Sequence, residues 1–469
     1  MQILFVEAGV SYRSSIISKT GVHLGLLSLA SYLRDKGCDA QLSFCSMQLQ
    51  HALSTTFSVE DEIRRTNPDV VCISALTSSF PRVLEIARAA KRHGSCVIIG
   101  GIFASLNSTA IIEHYPEIDI VVRGDGEATL LETLGELERQ ESLEHVQGLT
   151  FRQDGVAEYT PSREPLDLST LPSPAYDLLP IDSYLKLGVP ATIETARGCT
   201  FDCEFCSMVD EEMGGRRYRT KSIPRIIEEI RQVRQYGFKS SWVCDDTFTL
   251  QRARTEAICA ALERDGQPLH LIVLTRLDLL DTNLLRLMHQ AGIREIVLGV
   301  ESVSQRSLQT MRKTTSDSNW KQRARRVIVA AGKLGFVVHP IFMLGWPGET
   351  KETLKQTVDF AVELGRHTQV EPFVSFPTPH PGSRFWRNAA SLGLQLVTTD
   401  LSKYIHLYPV AVPVSLGGLD ALPLLVRAHN TIRSESGTTQ RNPRIDLEFV
   451  LSYVDTDDQA KRSVWYNLP

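Results

Sequence analysis

Ala191-Thr192-Ile193-Glu194-Thr195-Ala196-Arg197-Gly198-Cys199-Thr200-Phe201-Asp202-Cys203-Glu204-Phe205-Cys206 reads as a short β-strand, near 191–196, that runs into a tight loop bearing three thiols. Three thiolates on one loop can hold three irons of a [4Fe–4S] cluster, leaving the fourth iron without a protein ligand. An open iron can bind and reduce a substrate, which the complete Cys₄ sets of electron-transfer ferredoxins do not offer. A closed zinc site asks for four ligands, and no nearby Cys or His supplies the fourth. The other six cysteines, Cys38, Cys45, Cys72, Cys96, Cys244 and Cys259, are scattered in apolar surroundings and read as small buried hydrophobes. An odd, sparse set of nine does not read as a secreted disulfide framework.

Outward from that loop the pattern repeats. Strands are expected near 191–196, 241–245, 270–275, 295–300, 337–344 and 370–376, with helices at 223–236, 252–264, 282–291, 318–334, 350–365 and 384–392. Six βα units over residues 189–400 predict a partial or full β/α barrel whose site is built by the loops at the strand carboxyl ends. Residues 1–140 hold five shorter apolar runs alternating with helical patterns. Gly100-Gly101 and Gly124-Asp125-Gly126 follow the later strands, which predicts a doubly wound parallel sheet with its ligand beyond those glycines. Between the two lies a connector, 141–188, with a hairpin around Asp154-Gly155 and then Pro161, Pro165, Pro172, Pro174 and Pro180. Residues 401–469 show little periodicity before Leu422–Ile432 and read as a small appendage.

Composition narrows the function class. The 469 residues carry 50 Lys and Arg against 55 Asp and Glu, a formal net charge of -5, with 22% charged and 42% hydrophobic residues. That excludes a disordered chain and argues against one built to coat nucleic acid. No apolar run is long enough to span a membrane, and Met1–Ala8 reads as a strand rather than a signal peptide, so a cytoplasmic enzyme is the expectation.

The ordered motifs resemble the radical S-adenosylmethionine superfamily, marked by CxxxCxxC in the first strand-to-helix loop of a β/α barrel, and within it the subgroup with an N-terminal cobalamin (B12)-binding-type domain. The resemblance covers roughly residues 1–395. Asp245-Asp246-Thr247-Phe248, Thr275-Arg276-Leu277-Asp278, Gly299-Val300-Glu301-Ser302, Gly345-Trp346-Pro347-Gly348-Glu349-Thr350 and Thr378-Pro379-His380-Pro381-Gly382 follow the cysteine motif in the family's order. Gly25–Leu33, Ile99-Gly100-Gly101 and Arg123-Gly124-Asp125-Gly126-Glu127 resemble the first helix and the cofactor loops of the B12 domain. The chain departs from the subgroup at Val22-His23 before Leu24-Gly25, at Ile102-Phe103-Ala104-Ser105 after Gly101, and at Val303 after G-V-E-S.

The resemblance implies that Cys199, Cys203 and Cys206 hold the cluster and that S-adenosylmethionine chelates the open iron. Reductive cleavage then yields a 5′-deoxyadenosyl radical that removes hydrogen from an unactivated carbon. It further implies Phe205 near the adenine, and Asp245 and Asp246 toward the methionyl ammonium or ribose hydroxyls. Arg276 would face the carboxylate, Gly345 would lie along the adenosine, and Gly100, Gly101, Gly124 and Gly126 would touch the corrin. Glu301 and Tyr218 are the candidate catalytic side chains. Each has a plainer reading too. Asp246 can be a helix cap, Arg276–Asp278 a local ion pair, Gly345–Thr350 a turn, and Tyr218 a packing residue. Arg216, Arg217, Arg219 and Lys221 read as a solvated surface or as contacts to an anionic substrate. His23 is more simply satisfied at its helix start than bound to cobalt. The leading expectation is cobalamin-dependent methylation of a small natural product, with a flavodoxin- or ferredoxin-type electron donor. The alternative is radical dehydration or rearrangement of a polyol or aminosugar without the corrin.

Overall fold

The computed structural model describes residues 1–9, 21–53, 57–267, 269–314, 319–436 and 443–455. The parts of the appendage at 437–442 and 456–469 lie outside them. The strands are β1 (Gln2–Glu7), β2 (Gln41–Ser46), β3 (Val70–Ser74), β4 (Cys96–Gly100), β5 (Ile120–Val122), β6 (Leu149–Gln153) and β7 (Val156–Tyr159). They continue with β8 (Ala191–Ile193), β9 (Ala196–Arg197), β10 (Arg219–Thr220), β11 (Ser240–Val243), β12 (His270–Arg276) and β13 (Ile293–Glu301). The last are β14 (Val337–Met343), β15 (Phe373–Ser375), β16 (Leu394–Leu396) and β17 (Ala411–Pro413).

The first sheet has the order β2-β1-β3-β4-β5-β6-β7. Strands β1 to β5 are parallel, because helices such as Leu24–Asp35 and Phe80–Arg92 return the chain between them. Ile3, Leu4, Phe5 and Val6 are all buried, as befits a strand covered by helices on both faces. The hairpin expected in the connector forms with Asp154 in the left-handed region, and it pairs antiparallel with β5. It therefore widens this sheet instead of standing free.

The second sheet runs β15-β14-β13-β12-β11-β8, all parallel and in sequence order. Among the described residues β8 and β15 do not pair, so the barrel is partial. Both edges are covered. The Tyr176 hydroxyl donates to Thr192 O at 2.6 Å and accepts Thr192 N at 2.9 Å on β8, and His406 O accepts Phe376 N at 2.9 Å just past β15. Capping an edge in this way removes a template for unwanted strand pairing.

The segment after 401 is more than an appendage. Helix Leu422–Glu435 buries Leu422, Leu425, Val426 and Ile432 in the same apolar core as the barrel strands. Its Leu425 lies where a Cβ on Gly345 would meet it at 3.1 Å, so the tail packs directly on a barrel loop.

Candidate active site

The cluster loop is closed by a two-residue antiparallel ladder, Ala196 and Arg197 of β9 against Thr220 and Arg219 of β10. Gly198 makes the closure possible. Its φ is +86°, and a Cβ there would sit 1.8 Å from the Arg217 carbonyl oxygen. Cys206 N donates to Cys203 O at 3.2 Å, and Glu204 N is tied to Met311 O at 2.9 Å. Arg384 grips the outer side of the loop through Asp202 Oδ1 at 2.6 Å and the carbonyls of Asp202 and Cys203 at 3.0 and 3.1 Å.

The sulfurs sit beside hydrogen-bonding groups. Arg276 Nη1 is 3.2 Å from Cys203 Sγ, and Thr247 Oγ1 is 3.6 Å from Cys199 Sγ. Burial pushes the Cys206 thiol up to about 12. A loop of three thiols with donors at the sulfurs fits an iron–sulfur cluster, whose thiolate charge such bonds stabilise. Among the described residues no three His, Cys, Asp or Glu side chains are arranged around a single metal ion.

The other candidates divide into two groups. Asp245 lies behind the loop: its Oδ1 accepts Thr195 N at 2.7 Å and Ala196 N at 2.9 Å, and its Oδ2 accepts the Thr195 hydroxyl. Burial raises its carboxyl to about 6 against those bonds. Arg276 makes the bidentate pair with Asp278, at 3.0 and 2.8 Å, besides its bonds to Cys203 and to Lys313 O at 2.5 Å. Its guanidinium also lies 3.6 Å over the Phe201 ring. Gly345 donates its N–H to Glu349 Oε2 at 2.8 Å and is overlaid by Leu425. Burial lifts the Glu349 carboxyl to about 7. These three expected ligands are engaged with the protein itself.

Asp246, Phe205, Glu301 and Tyr218 are less fully engaged. Asp246 takes Gly198 N at 2.9 Å and lines the main cavity. Phe205 meets Trp346 edge-on at 6.1 Å, and Trp346 stacks on Phe385 at 5.1 Å. Glu301 has φ +67°, a conformation few non-glycine residues adopt, at a register shift in β13. Its carboxylate is paired with the buried Lys313 ammonium at 2.9 Å. Tyr218 lies beside Arg254, with its phenol pushed up by burial.

The main cavity, about 780 Å³, belongs to both sheets. One wall is the carboxyl edge of the first sheet, with Gly100, Gly101, Gly124 and Gly126; the other is the cluster side, with Gly198, Met208 and Asp246. Its apolar lining includes Leu26, Leu29, Ile98 and Leu130. A large cofactor needs both such a volume and backbone free of side chains, and glycine rim and apolar lining together fit one. Gly101 has a second reason to be glycine: its φ is +100°, and a Cβ would sit 3.0 Å from Ala75 O. Gly25, also on the lining, would place a Cβ near the His23 ring alone, at 3.5 Å. His23 itself caps helix Leu24–Asp35 through Nδ1 to Leu26 N at 3.3 Å. The basic run is dispersed: Arg216 bonds Thr200 O, Arg217 pairs with Glu164, Arg219 with Asp125, and Lys221 with Glu229.

Sequence reasoning missed Arg197, Glu127, Lys313 and Arg384. Arg197 lies at 2.7 Å from Glu127, 2.8 Å from Glu194 and 3.3 Å from Asp125. Burial disfavours the ionised form of Glu127, but the Arg197 charge and hydrogen bonds outweigh it and hold the carboxyl below the usual range. The signal for this pair was present, since Arg197 adjoins Gly198-Cys199 and Glu127 ends the Arg123–Glu127 motif. For Lys313 and Arg384 no local pattern pointed to the loop.

Comparison with known proteins assigns the class. Residues 193–361 match the radical SAM superfamily and residues 17–134 the B12 binding domain. An uncharacterized methyltransferase of Pyrococcus horikoshii is 31% identical over 401 residues, 84% of each chain. The hopanoid C-3 methylase of Methylococcus capsulatus is 30% identical over 393 residues, 80% of this chain and 70% of that one. In fold, the radical S-adenosylmethionine methyltransferase TsrM from Kitasatospora setae, solved with cobalamin and a [4Fe–4S] cluster, superposes with a TM-score of 0.70 at 20% identity, over 88% of this chain and 82% of that one. The cobalamin-dependent radical enzyme OxsB gives 0.65 at 20% identity, over 77% of this chain and 51% of that one.

The chain belongs to the radical SAM superfamily, in the methyltransferase family that carries a B12-binding domain. It is an enzyme of that family, whose cofactors are a [4Fe–4S] cluster, S-adenosylmethionine and cobalamin. No helix among the described residues is long and apolar enough to cross a membrane.

Proposed function

We propose that this enzyme methylates an unactivated carbon of a small molecule by hydrogen abstraction, using cobalamin as the methyl carrier. The carrying observation is the single cavity that joins the glycine edge of the first sheet to the cluster loop of the barrel. Methyl transfer needs both cofactors to face one space; dehydration or rearrangement needs only the barrel side. The relatives named as methylases support the same reading.

When bound, the cluster with S-adenosylmethionine supplies a carbon-centred radical, and cobalamin supplies the methyl group. Cys199, Cys203 and Cys206 would hold the cluster, with Arg276 donating to the Cys203 sulfur and the Thr247 hydroxyl beside that of Cys199. Asp246, on the cavity wall, and Phe205, against Trp346, hold S-adenosylmethionine. Asp245, Arg276 and Gly345 are positioning residues: each fixes a loop, and their remaining capacity for a ligand is small. Glu301, in its left-handed conformation, holds the buried Lys313 ammonium at the end of β13. Tyr218 holds its proton beside Arg254. Gly100, Gly124 and Gly126 let the corrin approach the backbone, and the apolar lining at Leu26, Leu29, Ile98 and Leu130 packs on it. An electron donor of the flavodoxin or ferredoxin type completes the system.

The test is anaerobic reconstitution with iron, sulfide and hydroxocobalamin. One mole of cobalt per chain, with both 5′-deoxyadenosine and S-adenosylhomocysteine formed under reducing conditions, is the expected result. A chain that takes up no cobalt, or that forms 5′-deoxyadenosine alone, overturns the reading.

A further inference from the structure

The five residues Arg123-Gly124-Asp125-Gly126-Glu127 alternate charged side chains with glycines. All five line the cavity, and all three charged side chains reach across to the barrel. Arg123 Nη1 binds Glu212 Oε2 at 3.0 Å, in the segment just after Cys206. The same Glu212 accepts Tyr159 OH at 2.6 Å and Ser162 Oγ at 3.1 Å, while the Arg123 guanidinium lies 3.4 Å over the Tyr159 ring. Asp125 binds Arg219 at 2.6 Å and Arg197 at 3.3 Å. Glu127 binds Arg197 at 2.7 Å and accepts Ser28 Oγ at 2.9 Å.

Arg197 and Arg219 are partners in the β9–β10 ladder that closes the cluster loop. The segment thus holds the cluster loop at both flanks, before Cys199 through Arg197 and after Cys206 through Glu212. Ser28 adds a third tie, to the helix whose Leu26 and Leu29 line the cavity. Glu127 is buried at 3% exposure, so its bonds are not diluted by water. A ligand that orders one side of this segment orders the other, because the same five residues serve both.

We propose that Arg123–Glu127 couples the two cofactor sites, with Glu127, Arg197 and Arg123 acting as positioning residues. This rests on the cobalamin-dependent reading above. Cobalamin held against the glycines fixes the segment, and the segment fixes the cluster loop, so cobalamin and S-adenosylmethionine tighten each other's binding. By linkage the effect is reciprocal.

The experiment measures the dissociation constant of S-adenosylmethionine on the cluster-reconstituted, oxidised protein, with and without hydroxocobalamin. In the unaltered enzyme hydroxocobalamin tightens S-adenosylmethionine at least about fivefold, the lower end of ordinary coupling. In Glu127→Gln, which keeps an acceptor for Arg197 and Ser28 but removes the charge, the factor falls below about twofold, and Arg197→Lys does the same. Glu363→Gln, in the distant surface pair with Arg325, leaves the factor unchanged. Cluster absorbance and hydroxocobalamin uptake are read first on every variant; if Glu127→Gln does not fold, Arg123→Lys on the opposite flank carries the same expectation. A factor of one in the unaltered enzyme, or an undiminished factor in the folded variants, overturns the proposal. Failure of the unaltered enzyme to take up hydroxocobalamin overturns the cobalamin reading itself, and is seen before any factor is measured.

Discussion

The two walls of the cavity are built by opposite means. The first sheet presents backbone at Gly100, Gly101, Gly124 and Gly126 and apolar side chains such as Leu26, Leu29 and Leu130, while its charged Arg123, Asp125 and Glu127 are paired with the barrel. The barrel side presents mostly side chains, and its charges are largely paired, Arg197 with Glu127 and Glu194, Arg217 with Glu164, and Arg219 with Asp125. A wall of backbone offers room; a wall of paired charges offers rigidity. Asp245, Arg276 and Gly345, expected as ligands, are bonded within the protein instead of lining the cavity.

The sharpest break of this comparison lies at the cysteines, where side-chain chemistry cannot be substituted. Cys203→Ala abolishes 5′-deoxyadenosine formation, while Cys259→Ala, on a helix facing the barrel core, leaves it intact; an anaerobic product assay checks both. On the glycine wall the opposite pattern is expected. Gly25→Leu fills open space without backbone strain, so hydroxocobalamin uptake drops more than tenfold while the iron–sulfur absorbance is unchanged. Gly101→Val is a poorer probe, since its φ of +100° and the nearby Ala75 carbonyl disturb the turn as well.

Glu349 tests the rigidity of the barrel wall through pH. Its carboxyl is raised by burial from near 4.5 to about 7, so the folded state holds a proton that the unfolded chain releases. That stabilisation is full below about pH 4.5 and is lost as pH rises through 7, on the order of 3 kcal/mol across the window. Glu349→Gln keeps the acceptor for Gly345 N and should remove this decline from a plot of melting temperature against pH. An unchanged slope would place the titration elsewhere.

Arg276 gives the smallest effect and the finest distinction. A lysine cannot reproduce the fork to Asp278 together with the contacts to Cys203 and Lys313. Arg276→Lys should therefore lower stability by about 2 kcal/mol, the worth of a charged hydrogen bond, and change S-adenosylmethionine affinity less than about threefold. A loss of ten- to a hundredfold in affinity at unchanged melting temperature would restore Arg276 as the carboxylate ligand.

The fold was largely legible. Five apolar runs alternating with helical patterns predicted β1 to β5, and the six βα units of the barrel fall where their periodicity placed them. The tail was not legible, because Leu422, Leu425 and Ile432 find their partners on helix Lys351–Gly365 and at Gly345, far away in sequence. The residue types offered for the candidate site were readable in the sequence, yet the different surroundings of Asp245 and Asp246 were not. Two adjacent aspartates carry identical chemistry. Only the third dimension puts Asp245 behind Thr195 and Ala196 and puts Asp246 on the cavity wall.

Local covalent chemistry and short-range periodicity are written in the chain itself. Three thiols on one loop, Cys199, Cys203 and Cys206, form the pattern expected of a cluster with one open iron, and alternation of strand and helix specifies parallel sheets. Which charges face a ligand and which face one another depends on contacts between residues far apart in sequence, such as Arg197 with Glu127 and Arg276 with Cys203. A buried charge takes the nearest opposite charge or hydrogen-bond partner that packing brings to it, and packing is settled only when the two sheets close on one cavity.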